Sequence, residues 1–328
     1  MQNSLKPLVS ILMPVYNGAK FMGQTIENLL KSSYDNIEII IVDDGSTDDS
    51  FKIASRYSQS NSKVKVFQQE NAGAGAARNR AFHESAGEYC MYMDCDDLIS
   101  PNKISRQVEC LREEDASAIA SCAWVEFTDI LPSSSYPLKI HKDYLSPLNL
   151  ETEMLNSGEY MQTSCWMVPR HLIESSGGWN SRLSINDDGA FFAKILSIAS
   201  KVIFCGGEIV YYRRGHESLS TSDIYAERKL RALLDSYEEI QKILLTVGAN
   251  HSNLLPEIRC GLARNYALVM CKAPYHSAVY NEAKAMIRAL GLSPKHPHPT
   301  SRAALISNII GLNKFLKLRS LCQKMKSR

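Results

Sequence analysis

Several things are scarce in this chain of 328 residues, and each scarcity closes off a class of protein. None of the nine cysteines is spaced Cys-x-x-Cys, and nine is odd, so neither a zinc ribbon or finger nor a disulfide framework is expected. Cys90, Cys122, Cys205 and Cys271 lie in apolar runs, as small buried hydrophobes do in a reducing compartment. No run approaches the ~18 apolar residues that a membrane-spanning helix needs. Residues 1–8 lack the apolar stretch of a signal peptide, so a cytoplasmic protein is expected. Net charge is also scarce, at +2, which by itself argues for no nucleic-acid partner. Asp and Glu are missing altogether from residues 283–328, where Lys and Arg recur, so the chain ends in a basic segment.

What is present is alternation. With 45% apolar and 22% charged residues the chain can bury a core. Apolar runs of strand length occupy residues 8–13, 37–42, 64–67 and 89–93, with a fifth at 118–125. Helical periodicity separates them. Phe21, Thr25, Leu29 and Leu30 share one face; a second helix runs over about 48–57, with Ser46 and Asp49 as a capping pair. A third spans 75–85 and closes at Gly87, and a fourth begins at Pro101, capped by Ser100. Strands that are apolar without interruption are covered on both faces, which is the signature of an α/β doubly wound, mostly parallel sheet flanked by helices. Residues 127–161 are irregular, with Pro132, Pro137 and Pro147 among serines. Short strands are expected near 202–204 and 209–212, and helices over 188–199, 225–246, 256–290 and 302–326. No internal repeat is present.

Doubly wound sheets bind ligands beyond the carboxyl ends of their strands. Pro14-Val15-Tyr16-Asn17 follows the first strand here, Asp43-Asp44-Gly45-Ser46 the second, and Asp94-Cys95-Asp96-Asp97 the fourth. Three carboxylates in four positions repel one another unless a cation is near. A hard divalent ion, Mn²⁺ or Mg²⁺, would take one or two of them together with phosphate oxygens. The same residues also suit a helix start, where acids are favoured. Asp44 belongs to a turn rich in capping residues, and could equally accept a hydrogen bond from a nucleotide base on which Tyr16 stacks. The Gly73-Ala74-Gly75 segment is no dinucleotide fingerprint, because it follows the third strand and has Arg78 where the last glycine should be. It reads better as a helix start close to a nucleotide, with Arg78 adding positive charge.

Pro14-x-Tyr16-Asn17, Asp43-Asp44-Gly45-Ser46-Thr47-Asp48, Asn71-x-Gly73 with Ala77-Arg78-Asn79, Gly87-Glu88-Tyr89 and Asp94-Cys95-Asp96-Asp97 follow in order. As a set, over residues 7–115, they resemble family 2 of the inverting glycosyltransferases, which have the GT-A fold. The resemblance implies a nucleotide-diphospho-sugar donor, usually a UDP-sugar, held with Mn²⁺ or Mg²⁺. It implies contacts of Pro14, Tyr16, Asn17, Asp44, Gly73, Arg78 and Cys95 with the nucleotide, of Asp94 with the ribose, and of Asp96, with Asp94, to the metal. In the second half, Asp187-Asp188 stands where the family has Glu-Asp, and Asp188 is expected to be the general base. Trp166 and Gly177-Gly178-Trp179-Asn180 precede it, as in the family. Arg213, Arg214 and His216 resemble a loop that closes over the diphosphate.

These readings divide the chain into a catalytic domain, 1–221, with a nucleotide-sugar half (1–115) and an acceptor half (116–221), and a helical C-terminal extension, 222–328. Processive synthases of the family carry Gln-x-x-Arg-Trp and membrane helices; neither is present, so addition of one or a few sugars to a glycan or lipid-linked glycan is expected. The terminal segment, 301–328, puts Leu305, Ile309, Leu312 and Leu316 on one face and carries many basic residues. It either lies on the cytoplasmic face of an anionic membrane or packs on the protein with its charges in water. Two alternatives accompany this reading: a sugar-nucleotide pyrophosphorylase, and a catalytically silent protein that binds nucleotide sugars.

Overall fold

Residues Ile37–Asp43 read Ile-Glu-Ile-Ile-Ile-Val-Asp and are buried along their whole length, which requires cover on both faces of the strand. The computed structural model, which describes residues 6–214, 227–297, 303, 307 and 311–326 (the last six without their side chains), provides that cover. Strands β1 (Val9–Val15), β2 (Ile37–Asp43), β3 (Val64–Gln68) and β4 (Tyr89–Tyr92) form a parallel sheet in the order β3-β2-β1-β4. Helices α1 (Met22–Leu30), α2 (Ser50–Ser60) and α3 (Ala74–His83) make the crossovers. The fold class expected from the sequence is the one observed.

The fifth apolar run behaves differently. It forms β6 (Ile119–Phe127), which joins β5 (Leu98–Ile99) and β8 (Val202–Arg213) in a second sheet, order β5-β8-β6. The two short strands expected near 202–212 are one strand. It passes through Gly206-Gly207, where Gly207 has φ +88° and the pairing with β6 slips between Ser121 and Ala123. A bulge lets one strand bend where two were expected. An edge strand, β7 (Val168–Pro169), pairs antiparallel with β4 and leads into α6 (Arg170–Ser176), which ends at left-handed Gly177.

Other boundaries moved for local reasons. Helix α4 (Lys103–Arg112) starts later than Pro101, because the Ser100 hydroxyl donates to Glu208 Oε2 (2.6 Å) and accepts from the Ile209 amide (3.0 Å) instead of capping a helix. The irregular region contains α5 (Pro147–Ser157), whose proline occupies the first position, where its missing N–H costs nothing. The stretch 256–290 is two helices, α9 (Leu255–Lys272) and α10 (Ala278–Ala289), since Pro274 stops the first and Ser277 caps the second. Helices α7 (Asp187–Ile198) and α8 (Glu227–Gly248) lie close to where periodicity put them, whereas α11 (Leu312–Lys326) begins after non-helical Gly311, later than the expected 302. In α11 Leu312 and Leu316 are buried and Asn313 accepts from the Tyr280 hydroxyl. That apolar face is therefore packed on protein; Leu305 and Ile309 lie outside the described residues.

The chain divides into two compact units. One comprises Met1–Leu150, Glu159–Ser184 and Lys194–Glu217, and so holds both sheets. The other comprises Glu151–Gly158, Ile185–Ala193 and Ser218–Arg328, and is helical in its described part. No helix of the described residues is long and apolar enough to cross a membrane.

Gly87, expected as the C-cap of α3, has another role. A Cβ there would lie 2.4 Å from Ser10 Oγ and 2.9 Å from the Leu8 carbonyl oxygen, so only glycine fits against β1. Ser10 Oγ accepts from the Gly87 amide and donates to Glu38 Oε1 (2.7 Å). Glu38, buried on β2, also accepts from the Ala86 amide (2.6 Å) and Lys65 Nζ (2.8 Å). Burial pushes its carboxyl up, but the Lys65, Ala86 and Ser10 donors outweigh it and hold the pKa below the usual value. A depressed pKa stabilises the fold above the unfolded value, near ~4.3, and that stability is lost as pH falls through the folded value. Glu38→Gln should therefore lower urea-unfolding stability at pH 7 by about 1.5–3 kcal/mol and flatten its pH dependence below about pH 4.5. Unchanged curves at both ends would show that these bonds do not tie the strands together.

Candidate active site

The acidic turn Asp94-Cys95-Asp96-Asp97 follows β4 directly and is held from three sides. On α1, the Thr25 hydroxyl lies 2.9 Å from the carbonyl oxygens of both Cys95 and Asp97. From the end of β8, the Arg213 amide donates to Asp97 Oδ1 (3.0 Å) and Arg213 Nε to the Asp96 carbonyl (2.8 Å). The same guanidinium donates to Gln24 Oε1 (2.7 Å) and the Thr128 carbonyl (3.2 Å), and lies 4.4 Å from the ring centres of both Phe21 and Phe127. Arg213 is thus buried and its guanidinium helps to build the turn.

Asp97 does not cap the next helix, whose N-cap is Asn102. It is fully buried, its Oδ2 has no hydrogen-bond partner, and burial, then the charges of Asp94 and Asp96, drive its pKa well above the carboxylate range. Burial and the same aspartates keep the Cys95 thiol protonated. A Cβ on Gly18 would come within 2.6 Å of Cys95 Sγ, so the thiol packs against the loop after β1.

Arg78 reaches the turn from α3, with Nη2 3.1 Å from Asp94 Oδ1. Its guanidinium lies 4.3 Å from the Trp179 ring centre. Trp179 is fixed by Asn79, whose amide side chain donates to the Trp179 carbonyl and accepts from its amide, both at 2.8 Å. The Gly177-Gly178-Trp179 turn that sequence marked as a landmark is thus the wall behind Arg78. Gly178, at φ +74°, must be glycine there, because a Cβ would meet Asn79 Oδ1 at 2.7 Å.

The loops after β1 and β2 interlock. Pro14 is the second-last residue of β1, beyond the last residue paired with β4. Asn17, left-handed at φ +54°, donates its amide to Ser46 Oγ (2.9 Å) and accepts from the Thr47 amide (2.8 Å). Ser46 is therefore no helix cap; the Ser50 amide and hydroxyl turn to Asp48 Oδ1 instead. Between these braced residues Tyr16 stands 42% exposed. Asp44 is buried, and its carboxylate accepts from Gln69 Nε2 (2.8 Å), the Ala72 amide (2.9 Å) and the Gly73 amide (2.8 Å). The Gly73 N–H is therefore turned to Asp44.

In the helical unit Asp187 and Asp188 open α7, and Asp188 Oδ1 accepts from the Gly189 amide (2.9 Å). Asn186 before them has φ +54° and donates from Nδ2 to Ser236 Oγ on α8 (3.0 Å). Arg214 follows β8 and is paired with Glu126 at 3.0 Å, about half exposed. His216 lies outside the described residues.

Sequence reasoning missed Thr25, Gln24, Phe21 and Phe127 as parts of the site. The helical spacing of Phe21 and Thr25 was visible, but nothing in it signalled what that face meets. Among the described residues no three His, Cys, Asp or Glu side chains form a metal cluster. The donor chemistry nevertheless fits Mg²⁺ or Mn²⁺. Asp94 and Asp96 offer hard carboxylate oxygens, and such ions take one or two of these and complete their shell with phosphate and water.

Residues 10–175 match the family model described as glycosyl transferase family 2. An uncharacterized glycosyltransferase of Rickettsia typhi is 30% identical over 264 residues, 77% of this chain and 79% of that protein. Glycosyltransferase GlyG of Streptococcus pneumoniae is 29% identical over 227 residues, 67% of this chain and 75% of its own. Among solved structures, S. aureus TarS 1–349 in complex with UDP-GlcNAc superposes with a TM-score of 0.59 at 18% identity, covering 93% of this chain and 92% of that one. The mannosyltransferase PcManGT of Pyrobaculum calidifontis, in complex with GDP-Man and Mn²⁺, gives 0.53 at 16% identity, over 98% and 89%. At such identities the two structures speak for the fold, which is GT-A.

Arg213→Lys keeps the charge but loses the planar fork that donates in three directions. It should lower unfolding stability by about 2 kcal/mol and turnover by about 10²-fold through a displaced acidic turn. A variant with wild-type melting and activity would refute the clasp.

Proposed function

Because the chain belongs to glycosyl transferase family 2 and is a glycosyltransferase, we propose that it moves a sugar from a nucleotide diphosphate donor, a UDP-sugar first, to an acceptor hydroxyl with inversion. The observation that carries this is the assembly of Tyr16, Asp44, Arg78 and Asp94–Asp97 at neighbouring strand ends of one sheet. The donors held by TarS and PcManGT, UDP-GlcNAc and GDP-Man, support the class.

In this reading Tyr16 stacks on the base, Asp44 accepts from its ring N–H, and Asp94, oriented by Arg78, meets the ribose. Asp96, with Asp94, would hold Mn²⁺ or Mg²⁺. When bound, the ion supplies positive charge to the departing diphosphate. Arg214 and His216 add charge from the protein side. Asp188, or its neighbour Asp187, takes the acceptor proton, a contribution of ~10²- to 10⁴-fold. One displacement inverts the anomeric carbon, and no covalent nucleophile is needed. A cytoplasmic enzyme that adds single sugars to surface polysaccharide or glycoconjugate, on a glycan or lipid-linked glycan, fits the absence of Gln-x-x-Arg-Trp.

The test is a hydrolysis and transfer screen of UDP-, GDP- and dTDP-sugars with Mn²⁺. At least one donor should turn over, Asp96→Ala should abolish this, and Asp188→Ala should cut transfer by at least ~10². Full activity in Asp96→Ala, or no donor turned over, overturns the reading.

Any membrane contact of 301–328 is proposed to be electrostatic, since Leu312 and Leu316 are already buried while Lys314, Lys317 and Arg319 are exposed. Binding to anionic liposomes should then vanish at high salt and in a chain lacking 301–328; salt-resistant binding would contradict it.

A further inference from the structure

The second sheet carries an aromatic surface that the roles above leave unused. Along β6 and β8, alternate residues point to opposite faces. Val125, Phe127 and Arg213 are buried on one face. On the other stand Trp124, Glu126 and Tyr212, with Glu126 opposite Tyr212 in the register. Trp124 and Tyr212 are half-buried and Glu126 is exposed.

Trp124 and Tyr160 lie with ring centres 4.7 Å apart and planes inclined by 40°, and Tyr212 meets the indole edge-on at 6.2 Å. The indole N–H is already spent on the Tyr160 carbonyl (3.0 Å), so Trp124 has its ring face to offer a ligand. Tyr160 is 45% exposed, unusual for an aromatic held this firmly. At the rim, Glu126 and Arg214 form an ion pair in which both side chains keep about half of their surface in water. The Arg214 guanidinium also lies 4.7 Å from the Tyr212 ring centre.

The place matters as much as the composition. Tyr212 immediately precedes Arg213, whose amide and guanidinium hold Asp97 and Asp96. Burial pushes the Tyr212 phenol up to about 12, against the opposing charge of Arg214. Inclined aromatic faces with a carboxylate and a guanidinium at their edge match one kind of ligand well. A pyranose has an apolar C–H face that packs on an aromatic ring, and a rim of hydroxyls that need both acceptors and donors.

We propose that Trp124, Tyr160 and Tyr212, with Glu126 and Arg214 at the rim, form the acceptor subsite and bind a pyranose ring of the sugar being extended. This rests on the glycosyltransferase reading above and adds to it the class of acceptor and the residues that hold it. Stacking against a fixed platform would also present a hydroxyl repeatedly in one orientation, which is where an acceptor gains most of its rate advantage over water.

The experiment uses the full chain and whichever nucleotide sugar it hydrolyses. p-Nitrophenyl α- and β-pyranosides of glucose, galactose, mannose and N-acetylglucosamine serve as acceptor probes. Trp124→Ala and Tyr160→Ala should each lower the ratio of transfer to donor hydrolysis at least tenfold, through the acceptor KM. Trp124→Phe and Tyr160→Phe, which keep a ring face, should restore most of it. Trp166 and Trp179 are buried, so Trp124 is the tryptophan placed to report a ligand: the elongated pyranoside should shift the fluorescence of the wild type and not of Trp124→Phe. A transfer-to-hydrolysis ratio unchanged in either alanine variant overturns the subsite, as does a wild type that hydrolyses donor yet elongates no pyranoside. A wild type that hydrolyses no nucleotide sugar fails the donor reading instead, so the two failures are separable.

Discussion

Like-charge repulsion at the end of β4 is the constraint around which the sheet-bearing unit is built. Three carboxylates within four residues would lift one another's pKa values and splay the turn apart. The fold answers in three ways. Asp97 is taken into the interior, where burial and its neighbours favour the protonated acid. Asp94 is paired with Arg78, itself backed by Trp179. The backbone of Asp96 and the side chain of Asp97 are fixed by Arg213, and the carbonyls on either side by Thr25. Asp96 stays half-buried, with its backbone carbonyl fixed by Arg213. An acidic turn clamped at this many points is pre-organised by the fold itself.

The sequence made the parallel sheet legible because its strands are predominantly apolar and acidic residues gather just past their carboxyl ends. Both signals come from burial, and burial writes itself into local composition. The site's supports carry no such local mark. Asn79 and Trp179 are joined by two hydrogen bonds across 100 residues, and Gln24 and Arg213 across 189. Neither partner of such a pair is unusual where it stands. Arg213 was visible as a basic residue in an aromatic context, and its charge suggested phosphate. Only the structure shows Phe21 and Phe127 on either side of it and its donations to Asp97, Asp96, Thr128 and Gln24 directed inward. The second sheet was missed for a related reason: periodicity identifies a strand but not its partner, and β6 pairs with a strand some eighty residues downstream.

The same logic separates local from long-range cues around the acid pair. Two aspartates at a helix start are favoured by the helix dipole whatever their function. Asn186 is more telling. Asn is among the few non-glycine residues that enter the left-handed region readily, and here, at φ +54°, its Nδ2 donates to Ser236, which is buried on α8 and bound in turn to the Leu233 carbonyl. A helix placed after the sheet-bearing segments thus fixes the residue that launches Asp187 and Asp188. The helical region is tied to the residue before the acid pair through this bond.

Asp44 narrows the proposed donor by the same accounting of hydrogen bonds. An ionised carboxylate offers about four acceptor positions, and Gln69, Ala72 and Gly73 take three. One position remains for a base. Uracil presents a single ring N–H between two carbonyls, which suits a single acceptor. Guanine presents its ring N–H beside an amino group and is best met by two acceptors on one carboxylate. Freeing a second position would mean breaking a bond to the loop that carries Gly73 and leads into Arg78. On the proposed donor reading, discrimination against guanine would come from the cost of disturbing the same loop that orients Asp94.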